Sequence, residues 1–175
     1  MNFLANMVSF IDRISEWSGR AIAWLVLALV LLVCYDVAMR YLWQSGSIAL
    51  QELEWHLFAL IFLLGAAYTL KHDEHVRVDL LYGSRRFSEK HRAMVNLSGS
   101  VLLLIPFCIL IIYASWPFVA TSYAINEVSS DPGGLSHRFL IKAAIPLGFT
   151  LLLIQGISEI GRNIITLKQY KDGKE

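Results

Sequence analysis

Apolar residues in this chain run in blocks too long to be covered by a small soluble fold. Ala21 to Met39 is interrupted only by Asp36, a second block runs from Glu54 to Leu70, Ala93 to Asn126 carries no charge at all, and a fourth runs from Lys142 to Ser158. Crossing the hydrocarbon of a bilayer takes about 20 residues at a rise of about 1.5 Å each. Backbone polar groups in lipid must be satisfied within the segment, and these blocks lack the alternation of barrel strands. The pattern therefore predicts four membrane-spanning helices, at 21–39, 54–70, 93–125 and 142–160. The third would extend about 50 Å against a hydrocarbon layer of about 30 Å. No polar turn divides it, so the expectation is one strongly tilted helix, with Pro106 and Pro117 as kink points.

Ahead of the first span the period changes. Phe3, Leu4, Met7, Val8, Ile11 and Ile14 recur at helical spacing, with Asn2, Asn6, Ser9, Arg13 and Glu16 largely opposite. This predicts an amphipathic helix over 1–19 lying on the membrane surface. A cleaved signal peptide fits less well, because Asp12 and Glu16 break its charge pattern and no small-residue cleavage site follows. Residues 161–175 read as a polar tail. The fold class is thus an all-α integral membrane protein, with one membrane domain over 1–175.

Composition sharpens this. Hydrophobic residues make up 56% and charged residues 17%, with a mean hydropathy of +0.54, which a soluble chain of 175 residues could not bury. A net charge of +1 gives no footprint for nucleic acid. Cys34 and Cys108 lie inside apolar runs and read as buried thiols rather than a disulfide. Twelve basic residues flank the ends 1–20, 71–92 and 161–175, against Arg40, Arg138 and Lys142 on the other side. The positive-inside rule then puts both termini in the cytoplasm and loops 40–53 and 126–141 outside. Trp43, Trp55 and Tyr123 at the outer boundary, and Trp17, Tyr68 and Tyr82 at the inner one, agree with this.

Few residues carry chemistry. Asp36 is the one acid well inside a span, and Arg40 four residues on shares its helix face, so an intramembrane salt bridge is expected. Glu52, Glu54 and His56 cluster at the outer start of the second span, whereas His72 and His75 lie at the opposite surface. The histidines therefore cannot share one axial site, and no metal or other cofactor is expected. The inner loop from Lys71 to Tyr82 mixes charge with alternating apolar positions and suggests a short ordered element at the headgroups. Ser88 is a candidate N-cap for the helix that follows. In the outer loop, Asp131-Pro-Gly-Gly134 is a turn signal. No phosphate loop, HExxH, CxxC, internal repeat or pair of glycine-broken spans is present, so the chain reads as an accessory subunit, neither an enzyme nor a carrier complete in itself.

Several motifs then occur in order: Gln51-Glu-Leu-Glu-Trp-His-Leu-Phe58, Gly65-Ala-Ala67, His75-Val-Arg-Val-Asp79, Asp131-Pro-Gly-Gly-Leu135 with Arg138, Ile141-Lys-Ala-Ala-Ile-Pro-Leu-Gly-Phe149, and Gln155-Gly156. Over about residues 20 to 160 this set resembles the small permease subunit, DctQ type, of tripartite ATP-independent periplasmic (TRAP) transporters, most like the mannitol and chloroaromatic branch. Ser136 stands where the family pattern leads one to expect proline. The resemblance implies a bacterial inner-membrane protein and two partners beside lipid: a large sodium-coupled permease subunit, and a periplasmic substrate-binding protein that delivers an organic acid. It implies a scaffolding role, with Trp43, Glu52, Glu54, Asp131 and Arg138 as outer contacts and Arg77 and Asp79 as inner ones. Two rival readings remain: a haem- or quinone-binding anchor of a redox complex, suggested by His56, and an autonomous small carrier using Asp36.

Overall fold

A computed structural model describes residues 2–74 and 88–171, and all regular structure among them is helical. The elements are α1 (Asn2–Leu42), α2 (Ile48–Lys71), α3 (Glu89–Gly99), a π-helical turn (Ser100–Leu104), α4 (Ile105–Ala124) and α5 (Phe139–Lys171). The α3, π and α4 segments run on without a break, so four helical rods are long and apolar enough to cross a membrane. The third expected span is accordingly one rod, Glu89–Ala124. The inner-loop element lies outside the described residues. Ser88 does occupy the N-cap position, but its side chain caps nothing and instead meets the His91 ring.

The separate surface helix over 1–19 is not seen as such. Residues 2–19 and the first span form one helix of 41 residues, about 62 Å long. Gly19, the one glycine in it, is an attractive place to divide the sequence, yet it marks a contact and not a break. A Cβ there would lie 2.1 Å from the Tyr68 ring of α2, so the ring lies directly against the α1 backbone. Part of the apolar face of the N-terminal segment is also covered by protein: Val8 and Ile11 are buried, and a Cβ on Gly161 of α5 would lie 2.8 Å from Val8, while Phe3 stays exposed.

Helix α5 is the axis of the bundle. It packs against α1 and α2 on one side and the α3–α4 rod on the other. Small residues make this possible. A side chain on Gly148 would come within 2.6 Å of the Leu63 carbonyl oxygen, so α5 and α2 meet almost backbone to backbone there, and one on Gly156 would come within 2.9 Å of the Leu104 side chain, which packs into the space it leaves. The rod answers with its own small buried positions, Ala93, Ser100, Cys108, Ser115 and Ser122. Its π turn closes with the Ile105 amide donating to the Ser100 carbonyl, immediately before Pro106. Proline disturbs the turn that precedes it, and a wider turn there accommodates the ring.

The residues expected as a tail from 161 continue α5 to Lys171. With 33 residues, α5 measures about 50 Å, and its C-terminal end lies beside the N-terminal end of α1. The start of α3 joins them there, where the Tyr170 hydroxyl donates to Glu89 at 2.9 Å. The ends of the long helices thus lie together on one side of the bundle, in contact with each other.

Candidate functional site

Two polar clasps lie at opposite ends of the bundle, labelled outer and inner after the sides that the sequence leads one to expect. On α2, Glu52 of one and Lys71 of the other are 19 residues apart, about 28 Å along the helix.

The outer clasp organises the loop from Ile125 to Arg138. Helix α4 ends with Asn126 at φ 47°, and the Glu127 amide bonds back to the Ser122 carbonyl at 3.0 Å, a left-handed termination that asparagine tolerates. Asp131-Pro-Gly-Gly134 closes with the Gly134 amide donating to the Asp131 carbonyl at 3.0 Å. Gly133 has φ 84°, so proline precedes the glycine that supplies the positive angle. The Ser129 amide donates to the Leu135 carbonyl at 3.0 Å, and the Arg138 amide to the Glu127 carbonyl at 3.0 Å.

Glu52 locks this arrangement from α2. One carboxylate oxygen accepts the Leu135 amide at 2.6 Å and the other accepts the Ser129 hydroxyl, so the buried Glu52 consumes both oxygens on the loop. Gly134 must lack a side chain, because a Cβ would fall 2.8 Å from Glu52 Oε2. Glu127 in turn pairs with Lys142 of α5. The Lys142 ammonium, and after it the Ser122 hydroxyl, hold the Glu127 carboxyl below its ordinary value. Arg138 lies over the Trp55 ring at 5.6 Å.

The other outer candidates do not join the lock. Asp131 and Trp43 are exposed. Glu54 is half-buried, and its Oε1 has no hydrogen-bond partner among the described residues. Asp36 is buried and pairs with Arg40. Arg77 and Asp79 lie outside the described residues. Tyr123, Ile125 and Val128, at the start of the loop, are exposed, as are Tyr41 and Trp43 at the end of α1.

The inner clasp escaped the sequence reading, in which Asp12 entered only as an argument against a signal peptide. Its carboxylate gathers three side chains of α5: the Ser158 hydroxyl donates at 2.8 Å, the Gln155 amide at 3.1 Å and the Arg162 guanidinium at 2.9 Å. Gln155, fully enclosed, also accepts the Ser15 hydroxyl at 2.6 Å. Arg162 reaches on to the Lys71 carbonyl at 3.4 Å, and Glu16 binds Lys71 and His72. Three helices are therefore tied at one level. The available signal was spacing: Asp12, Ser15 and Glu16 on one helix, and Gln155, Ser158 and Arg162 on another, recur at intervals that share a face.

The histidines do not converge. His56 bonds the Glu52 carbonyl one turn back, and His72 belongs to the inner clasp. Among the described residues no group of three or more His, Cys, Asp or Glu could hold a metal ion. What the arrangement can do is mechanical: fix helices at one end and shape a loop at the other.

Comparison with known proteins gives a consistent picture. Residues 29–166 match the family model described as tripartite ATP-independent periplasmic transporters, DctQ component. The sialic acid TRAP transporter permease protein SiaT of Haemophilus influenzae is 25% identical over 163 residues, 93% of this chain but 25% of that protein. This chain therefore spans only a quarter of SiaT's length. The C4-dicarboxylate TRAP transporter small permease protein DctQ of Vibrio cholerae is 29% identical, with 95% of this chain and 78% of the relative covered. A TRAP transporter small permease protein of Haemophilus influenzae is 30% identical, covering 77% and 83% respectively.

Proposed function

The chain belongs to the DctQ component of the tripartite ATP-independent periplasmic transporters, and from that premise we propose that it braces a large permease subunit and offers a shaped outer loop to a periplasmic substrate-binding protein. It is a multi-pass membrane protein and a TRAP small permease subunit, a transporter component and not an enzyme. The proposal adds that the complex is sodium-coupled, that it lies in the bacterial inner membrane with both termini in the cytoplasm, and that its cargo is an organic acid. The names of two relatives, for sialic acid and for C4-dicarboxylates, support the cargo class.

One observation carries the bracing role: most buried polar groups among the described residues bond within the chain itself, Asp36 Oδ1 and Glu54 Oε1 being exceptions. Asp12, Gln155, Ser158 and Glu52 all bond within the bundle, whereas Trp24, Phe62, Leu103, Tyr113 and Trp116 face outward. A surface so apolar suits lipid and a neighbouring membrane subunit, and it offers no polar path for a solute. Trp43, Glu54, Asp131 and Arg138 around the outer loop are the proposed contacts to the binding protein, with Glu52 holding the loop in shape. Arg77 and Asp79 are the proposed inner contacts.

The test is reconstituted uptake. The large permease without this chain should transport little, and the full complex carrying Asp131→Asn with Arg138→Gln should need more binding protein for half-maximal uptake while keeping its maximal rate. Undiminished transport by the large subunit alone would overturn the bracing role. An unchanged requirement for binding protein in the double variant would overturn the docking role.

A further inference from the structure

The outer surface of α1 carries one feature that bracing does not use. Phe10, Trp17 and Trp24 are exposed on this helix, and a groove of about 330 Å³ opens beside Trp17, between α1, α2 and α5. Its walls are apolar: Ile22 and Leu25 from α1, Leu64 from α2, Leu147 and Leu151 from α5. A second hollow of about 330 Å³ adjoins it, sharing Ile14 and Trp17, and this one is lined by Arg13.

The charges around the mouth are uneven. The inner clasp absorbs the nearby acids: Asp12 is engaged by Arg162, and Glu16 by Lys71, His72 and Arg20. Arg13 is exposed and has no acidic partner among the described residues. A cation without a counterion among the described residues therefore stands at the polar end of a greasy slot. The slot runs from Ile14 to Leu25, about 16 Å along α1, away from the level of the clasp and into the apolar span. A guanidinium at headgroup depth, an indole beside it and a methylene-sized trough leading into hydrocarbon complement a phosphate head with its acyl chain.

We propose that this groove is a binding site for one anionic phospholipid, with the phosphate on Arg13 and an acyl chain laid along Trp17, Ile22 and Leu25 between α1, α2 and α5. The bound lipid fills the seam between the three helices at the end where the clasp joins them. The site depends on the membrane reading of the chain and not on its role in transport, and the test below reads no transport.

The full chain, purified in a neutral detergent, would be examined by native mass spectrometry with phosphatidylglycerol or phosphatidylcholine added at equal concentration. One phosphatidylglycerol should be retained in preference to phosphatidylcholine. Arg13→Gln should lower its retention about fivefold, the effect of one basic residue near an anionic surface, and Arg13→Lys should restore much of it. Ala21→Trp, which keeps the charge and fills the slot, should lower retention of both lipids. Circular dichroism would confirm that each variant keeps its helix content. Equal retention of the two lipids, or retention unaltered in both Arg13→Gln and Ala21→Trp, would overturn the site. A photo-cross-linking residue at position 17 in native membranes should label phospholipid; labelling of a protein subunit alone would assign the groove to a polypeptide and overturn the proposal as well.

Discussion

Asp12 and Glu52 are both carboxylates on long apolar helices, and both are fully engaged, yet they are engaged by different things. Asp12 meets side chains of α5, residues 143 to 150 positions away, and joins helix to helix. Glu52 meets a backbone amide and one hydroxyl of a loop and joins helix to turn. The first arrangement resists separation of the bundle. The second leaves the bundle alone and gives a surface loop one shape. Joining helices and shaping a loop are thereby assigned to opposite ends of the molecule, and the two can be broken separately.

The largest effect is expected at the inner clasp. Asp12→Ala leaves the buried Gln155 and Ser158 short of a partner and removes the charge facing Arg162. Since the Arg162 side chain is 41% exposed, its share is discounted, and the loss should be about 2–3 kcal/mol, read by equilibrium unfolding in bicelles. A loss below about 0.5 kcal/mol would mean the clasp holds nothing.

Next comes the helix seam between the clasps. Gly148→Ala forces a methyl against the Leu63 carbonyl, 2.6 Å away, and should cost about 1–3 kcal/mol. Gly65→Ala, with nothing within 4 Å, should be neutral or gain up to about 1 kcal/mol. The same unfolding measurement separates them, and equal behaviour would refute the close approach of α2 and α5.

At the outer clasp the expected change is local. Glu52→Gln turns an acceptor pair into a group that cannot accept both the Leu135 amide and the Ser129 hydroxyl. Hydrogen exchange at residues 129 and 135 should quicken about tenfold, with residues 152–162 unaffected. Exchange rising equally in both regions would mean that the loop and the bundle open as one unit.

The smallest effect is a pH dependence. Because Lys142 holds the Glu127 carboxyl below its ordinary 4.5, the folded loop binds its proton less readily than the unfolded chain does. The stabilisation is therefore present above about pH 4.5 and lost as pH falls through the lower folded value. Lys142→Met should flatten that part of the profile of thermal stability between pH 6 and pH 3, as about the range in which carboxylates titrate. An identical profile in the variant would exclude the pair as its source.

The four spans were legible because burial in lipid is a demand on composition, which every residue of a span reports. Boundaries were less so. Helix α2 begins at Ile48, where the Ser47 hydroxyl caps the Leu50 amide at 3.4 Å, ahead of the apolar block that announced it. Gly19 and Gly161 lower helix propensity and so invited breaks, though each is a point where a neighbouring side chain occupies the space a Cβ would take. The turn at Asp131 was readable from proline and glycine alone. The inner clasp was not, because the pairing of Asp12 with Gln155, Ser158 and Arg162 is created by tertiary packing, and local sequence shows only that each is polar. Arg138 and Asp131 were named correctly as loop residues, but nothing in their spacing indicated that Glu52 would fasten the backbone between them.

The π turn at Ser100–Leu104 acts as a phase correction. Buried positions on that rod fall at Ala93, Ser100, Cys108, Ser115 and Ser122, every seventh residue except across the wide turn, where the interval is eight. A plain α-helix advances about 100° per residue, so removing one residue there would rotate all that follows by roughly that angle. Tyr113 and Trp116 would swing from the periphery toward α5, and the loop clasped by Glu52 would leave from the wrong azimuth. The orientation of the outer surface is thus set some twenty residues earlier, by a single added step in the winding of the chain.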